Sequence, residues 1–101
     1  MNLLPGEKFV PLYDHPQYLI SNFGRVYSTK RQKFQAQFLS TRGFLQSNVD
    51  HKNVTIHISI ARSFASKDAE GNYKKVYNVK FKDRNKHNTT LENLTWHETD
   101  L

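Results

Sequence analysis

The sequence predicts a small α+β fold, and three observations carry that prediction. Short runs alternating apolar and polar residues, punctuated by Gly, Asn and Asp, fill the first half of the chain. Residues 57–65 switch to helical spacing, and alternation returns over residues 76–81. The expected architecture is therefore short antiparallel hairpins, one central helix, and a β-rich C-terminal half.

The elements follow in order. Phe9 and Val10 precede Pro11, which favours extended backbone. Tyr18-Leu19-Ile20-Ser21 is a β-prone run, Asn22-Phe23-Gly24 supplies a turn with Gly24 free to take positive φ, and Arg25-Val26-Tyr27-Ser28 resumes the alternation. Residues 18–28 thus form a hairpin, with Val26 on one side and Arg25 and Tyr27 on the other. A further strand is expected around residues 34–39. Residues 43–49 and 53–57 flank Asp50-His51-Lys52, which reads as a hairpin loop. His57, Ile60, Ala61 and Phe64 fall on one helical face, with Ser59 and Arg62 elsewhere. Residues 66–72 read as a polar loop and 76–81 as a strand. Residues 82–90 are turn-rich, and a last helical turn is expected near Thr90, capped by Thr89 or Thr90, with Leu91 and Leu94 inward. Phe64 and Trp96 are expected in the core.

The 101 residues suffice for one small domain, or two motif-sized pieces sharing a core. With no cysteine there is no disulfide framework, thiolate metal site or cysteine nucleophile. No apolar run approaches the ~18 residues of a membrane span, and the first residues lack the basic start and apolar stretch of a secretory signal. A cytoplasmic protein with no membrane partner is expected.

Charge gives the first functional clue. Fifteen Lys and Arg against nine Asp and Glu leave a net charge of +6, which favours a polyanionic partner, most often nucleic acid. The surplus is clustered. Arg25, Lys30, Arg31 and Lys33 form one block without an acid; Lys74, Lys75, Lys80, Lys82, Arg84 and Lys86 form a second against Asp83 alone. The two blocks make one phosphate-tracking surface only if the fold brings them together.

Three motifs in order add a family resemblance. Tyr18-Leu19-Ile20-Ser21-Asn22-Phe23-Gly24-Arg25-Val26-Tyr27-Ser28 resembles the Y-x-V-S-N-x-G-R-V-x-S module of phage and intron HNH homing endonucleases. His57-Ile58-Ser59-Ile60-Ala61-Arg62-Ser63-Phe64 resembles the H-R-L-V-A-x-x-F helix that opens their nuclease segment. Asn85-Lys86-His87-Asn88-Thr89-Thr90-Leu91-Glu92-Asn93-Leu94-Thr95-Trp96 resembles the closing N-K-x-N-N-x-x-E-N-L-x-W. The resemblance implies an N-terminal hairpin module over residues 1–39 and an HNH-like ββα segment over residues 40–101, packed as one unit.

The pattern breaks at the reacting centre. The resemblance implies a D/N-H pair before an I-D-G type turn, its histidine activating water and its neighbour holding a divalent metal. Phosphodiester hydrolysis needs both a proton acceptor and a cation. Alignment on Asn93 and Trp96 puts the pair on Lys80 and Phe81. Lysine repels Mg²⁺ and phenylalanine accepts no proton. The five residues after Trp96 also leave little room for the longer closing helix of the family.

The expectation is a noncatalytic protein that binds double-stranded DNA, with no metal or other cofactor, serving as a phage or mobile-element regulator. Its binding residues are expected to be Asn22, Arg25, Lys30, Arg31, Lys33, Lys80, Lys82, Arg84 and Lys86, with Lys80 taking over the cation's electrostatic role; Asn85 and Asn88 are further candidates for base or phosphate contact. One alternative is a Mg²⁺-dependent nickase or nuclease with a rearranged site at His57, Asp83 and His87. Another is an inhibitor docking on a host protein through the aromatics Tyr13, Phe23 and Tyr27. No oligomeric state follows from the sequence.

Overall fold

A computed structural model of the protein describes residues 1–100. Its first sheet is an antiparallel meander of β1 (Phe9–Leu12), β2 (His15–Ser21), β3 (Val26–Ser28) and β4 (Lys33–Phe34). Pro11, which has no N–H to donate, sits on the edge strand β1, where proline is tolerated. Between β2 and β3 the expected turn forms, with Gly24 at φ 85° and Ile20 opposite Val26. The buried Ser21 hydroxyl accepts from the Phe23 and Arg25 amides, both at 3.1 Å, so the turn's orphan donors are satisfied.

The second sheet comprises β5 (Gln37–Leu39), β6 (Leu45–Val49) and β7 (Lys52–Thr55). The β6–β7 connection is a two-residue turn rather than three, because Asp50 and His51 both take left-handed backbone, at φ 50° and 64°. The single strand expected over residues 34–39 is split. Phe34 packs against Phe9 and Tyr27 on the first sheet, whereas Gln37 pairs with Ser47 on the second. Gln35 and Ala36 carry the chain from one sheet to the other.

Helix α1 (Ile56–Phe64) lies at the centre and packs against strands of all three sheets. Its burial is correspondingly wider than one apolar stripe. Ser59, expected off the buried face, is buried, and Ser63 accepts a hydrogen bond from the Tyr13 amide at 2.9 Å. Small serines let neighbouring strands approach on those sides.

The third sheet pairs β8 (Lys75–Phe81) with β9 (Leu94–Thr99), interrupted by a bulge where Asn78 takes φ 55°. The expected helical turn near Thr90 is a single 3-10 turn over Leu91–Asn93; neither threonine caps it with its side chain. The chain then extends at once into β9, which the sequence reading missed.

Leu12, Ile20, Val26, Val49, Ile56, Ile60 and Leu94 form one core, with Phe64, Leu91 and Trp96 packed at its rim. Each fully buried aliphatic side chain contributes roughly 1.5–3 kcal/mol. The core draws on both sides of residue 39, and the second sheet joins β5 to β6 across that point. Among the described residues no helix is long and apolar enough to cross a membrane.

Candidate nucleic-acid interface

At the end of β8, Phe81 lies opposite Leu94 and turns its ring inward. The ring centroid sits 4.6 Å from that of His57 and 6.3 Å from that of Phe44, while Phe44 and His57 stack at 5.0 Å. Phe81 thus holds the position where the resemblance puts the water-activating histidine, and the other two rings pack beside it. His57 is buried as expected, but its Nδ1 has no hydrogen-bond partner, so the ring is held by packing rather than by a polar contact. Burial pushes the imidazole's pKa below its ordinary value.

The loop after β8 keeps an ordered polar frame. Asp83 accepts from the Asn93 side-chain amide and the Asn85 backbone on one oxygen, and from the Asn88 amide on the other, at 2.8–2.9 Å. These donors, Asn88 foremost, hold the Asp83 carboxyl below the usual carboxylate range. Asn93, itself buried, also donates to the Asn88 carbonyl. A divalent cation does not fit here: the aligned pair is an ammonium and a phenyl ring, and the remaining carboxylate already accepts amide donors on both oxygens. Of the residues in the rearranged-site alternative, His57 lies inside the aromatic stack, whereas Asp83 and His87 are exposed on the loop. Among the described residues no group of three His, Cys, Asp or Glu is placed to share a metal ion.

The expected binding residues divide into two kinds. Asn22 and Arg25 brace the fold. Asn22 accepts from the Lys8 amide and donates to the Gly6 carbonyl, while its own carbonyl receives the Leu91 amide at 2.7 Å. Arg25 is paired with the buried Glu7 through two guanidinium nitrogens, donates to the Asn2 carbonyl, and lies 4.1 Å from the centroid of the Phe34 ring. The hydrogen bonds from Arg25 hold Glu7 at about 2. Tyr13, Phe23 and Tyr27 are likewise half-buried rather than exposed; Tyr13 packs on Tyr73 and Tyr27 on Phe34.

The other cations are exposed. Lys30, Arg31 and Lys33 border the β3–β4 turn; Lys82, Arg84 and Lys86 occupy the loop after β8. Lys80 stands on the outer side of β8, opposite Thr95 and facing away from the Phe81 stack. Arg84 takes φ 63°, a left-handed conformation that costs a residue with a Cβ.

The second sheet connects the two blocks. A cleft at the Asn48 end of β6 is bordered by Lys30 and Arg31, and Lys86 reaches the other end, donating to the Arg42 carbonyl with its ammonium 4.9 Å from the Phe44 ring centroid. The register places Phe38, Gln46 and Thr55 side by side on the sheet's outer face, with Asn48 beside Asn53. That face carries amides, a hydroxyl and an exposed phenyl ring, and no charge. The sequence reading did not single out Phe38, Gln46, Asn48 and Asn53, which share this face, or Arg42, which lies at its edge. The available signal was the polar phase of the two strands, Gln46, Asn48, Asn53 and Thr55, which is amide and hydroxyl where a plain solvent face usually carries charges.

Known proteins share this sequence pattern and this fold. The NUMOD4 motif family matches residues 8–50. The H-N-H endonuclease F-TflII of Escherichia phage T5 is 40% identical over 92 residues, covering 87% of this chain and 46% of that protein. The solved structure reported as DNA binding and cleavage by the HNH homing endonuclease I-HmuI superposes with a TM-score of 0.68 at 26% identity, over 89% of this chain and 52% of that one. The chain belongs to the HNH homing endonuclease family. An uncharacterized HNH endonuclease of Acanthamoeba polyphaga mimivirus, L247, is 33% identical over 95 residues, 88% of this chain and 22% of that protein. This HNH family chain thus spans about half the length, or less, of the curated relatives it matches.

Proposed function

We propose that this HNH family member binds double-stranded DNA without cutting it. The observation that carries the reading is the packing of the half-buried Phe81 against His57, with Phe44 also stacked on the imidazole: an aromatic stack stands at the aligned reacting position, beside a scaffold and basic surface of the family's kind. Phenylalanine in place of the aligned histidine supplies no general base, and lysine in place of its neighbour supplies no metal ligand. Phosphate contacts require neither.

The second sheet is the element suited to the duplex. From Asn48 to Phe44 is four strand steps, roughly 13 Å, close to the ~12 Å width of a major groove. Basic residues stand at both ends of that span. Lys30, Arg31 and Lys33 on one side and Arg42, Lys82, Arg84 and Lys86 on the other are assigned to phosphates, which set affinity and register. Gln46, Asn48 and Asn53 are assigned to base edges, where amides read adenine in particular. Lys80 adds charge from the outer side of β8. Asn22 and Arg25 contribute by holding the turn and the N-terminal segment.

The test is equilibrium binding of a labelled duplex across a salt series. Five to seven neutralised phosphates give a linear fall of log affinity with log salt of slope roughly −4.5 to −6.3. A slope shallower than about −1 would remove the DNA reading.

A further inference from the structure

Between the first sheet and the tip of the β6–β7 hairpin lies a cleft of about 300 Å³, reaching the size range of ligand sites. Its walls come from both sheets. Lys30 and Arg31 on the β3–β4 turn and Tyr18 of β2 face Asn48 and His51 of the hairpin, with Gln35 on the connecting segment. Every one of these side chains can donate a hydrogen bond. Among the described residues neither Lys30 nor Arg31 makes an ion pair, and no side-chain hydrogen bond occupies either. One acid, Asp50, borders the cleft, and its Oδ2 is 2.8 Å from Nδ1 of His15. The cleft is therefore rich in donors and cations, with its one carboxylate engaged elsewhere. The chain around it carries no acid from His15 to Val49, against Arg25, Lys30, Arg31, Lys33 and Arg42.

We infer that this cleft is a seat for a single phosphate group that bridges the two hairpin sheets. Arg31 and Lys30 supply the charge, and the Gln35 and Asn48 amides, the Tyr18 hydroxyl and the His51 ring supply directional donors from opposite walls. Gln35 already donates to the Asn48 carbonyl at 2.8 Å, so the walls are tied at one point and the anion completes the closure. Because its partners lie on separate sheets, the anion acts as a staple, and its binding stabilises the fold as well as holding the ligand. The inference deepens the DNA reading, on which a backbone source for the phosphate rests.

The test compares thermal unfolding of the full chain in inorganic phosphate and in chloride at matched ionic strength. Three proteins are used: the wild type, Lys30→Ala/Arg31→Ala, and the charge-matched control Lys8→Ala/Lys75→Ala. At about ten times its Kd, phosphate raises Tm by roughly 5–10 °C in the wild type and control, and by less than half of that in Lys30→Ala/Arg31→Ala. An equal rise in all three proteins, or none in the wild type, overturns the seat. The same proteins are then titrated with duplex DNA and salt. A salt slope reduced by about one to two in Lys30→Ala/Arg31→Ala identifies a backbone phosphate; an unchanged slope beside an intact phosphate effect identifies free phosphate as the occupant. If the wild type binds no duplex while its phosphate effect persists, the DNA reading fails and the seat stands.

Discussion

Phe81 and His57 meet ring to ring, with centroids 4.6 Å apart, in the place where a nuclease of this family needs an imidazole facing water. The phenyl ring takes that place and also keeps His57 dry. Replacing Phe81 by Ala opens the stack, and a half-buried aromatic lost in this way costs about 2–3 kcal/mol. It also admits water to His57, whose depressed pKa then moves back toward the ordinary 6.5. Denaturant unfolding reads the first effect and NMR titration of the His57 ring reads the second. The wild type should lose stability as pH falls below 6.5, because only the unfolded chain then gains the proton at this site, and Phe81→Ala should flatten that dependence.

Gly24 is where the N-terminal hairpin touches the loop after β8. A Cβ built there would lie 2.7 Å from the Thr89 carbonyl oxygen and 2.8 Å from its hydroxyl, on backbone of φ 85°. Gly24→Ala meets both the clash and the left-handed strain, and should destabilise the protein by about 2–4 kcal/mol. Urea unfolding checks the figure; a loss under about 0.5 kcal/mol would show that the two segments are not locked together.

Much of this frame is legible in the sequence. The Asn22-Phe23-Gly24 turn, the helix and β8 follow from turn chemistry and periodicity, which are local properties. The misses are tertiary. Residues 34–39 contain no Gly, Pro, Asn or Asp to mark a break, so nothing local tells Phe34 to join one sheet and Gln37 another. Ser59 and Ser63 look like a polar helix face because burial by small residues leaves no apolar signature. Arg25 reads as a phosphate contact until Glu7, 18 residues earlier, is seen to meet it. That Lys80 and Phe81 stand where the resemblance expects the D/N-H pair is a matter of residue identity and is readable in the sequence; the stack around Phe81 is not, because Phe44 comes from a distant hairpin.

The Glu7–Arg25 pair makes a distinct pH signature. Glu7 falls from 4.5 to about 2, chiefly through hydrogen bonds from Arg25. Its carboxylate is buried, and a shift of this size corresponds to roughly 3 kcal/mol. Because the folded pKa is the lower one, this stability is present above about 4.5 and is lost as pH falls toward 2. Glu7→Gln should therefore cost roughly 2–3 kcal/mol at pH 7 and little at pH 2, measured as the difference between the two unfolding curves.

Arg84 separates stability from binding. It stands where the family turn carries glycine, yet keeps left-handed backbone at φ 63°. Arg84→Gly should relieve strain and raise stability by roughly 0.5–1 kcal/mol, while removing one phosphate contact and reducing the salt slope by about one. Thermal unfolding and duplex titration of the same variant read the two opposite effects.

The account is tested most directly by incubating the protein with supercoiled plasmid in Mg²⁺ and running the DNA with and without prior removal of protein. The account predicts a retarded band that disperses as salt rises, and DNA recovered fully supercoiled once the protein is stripped away. Open-circular or linear plasmid that accumulates with Mg²⁺ and is abolished by chelator would contradict it.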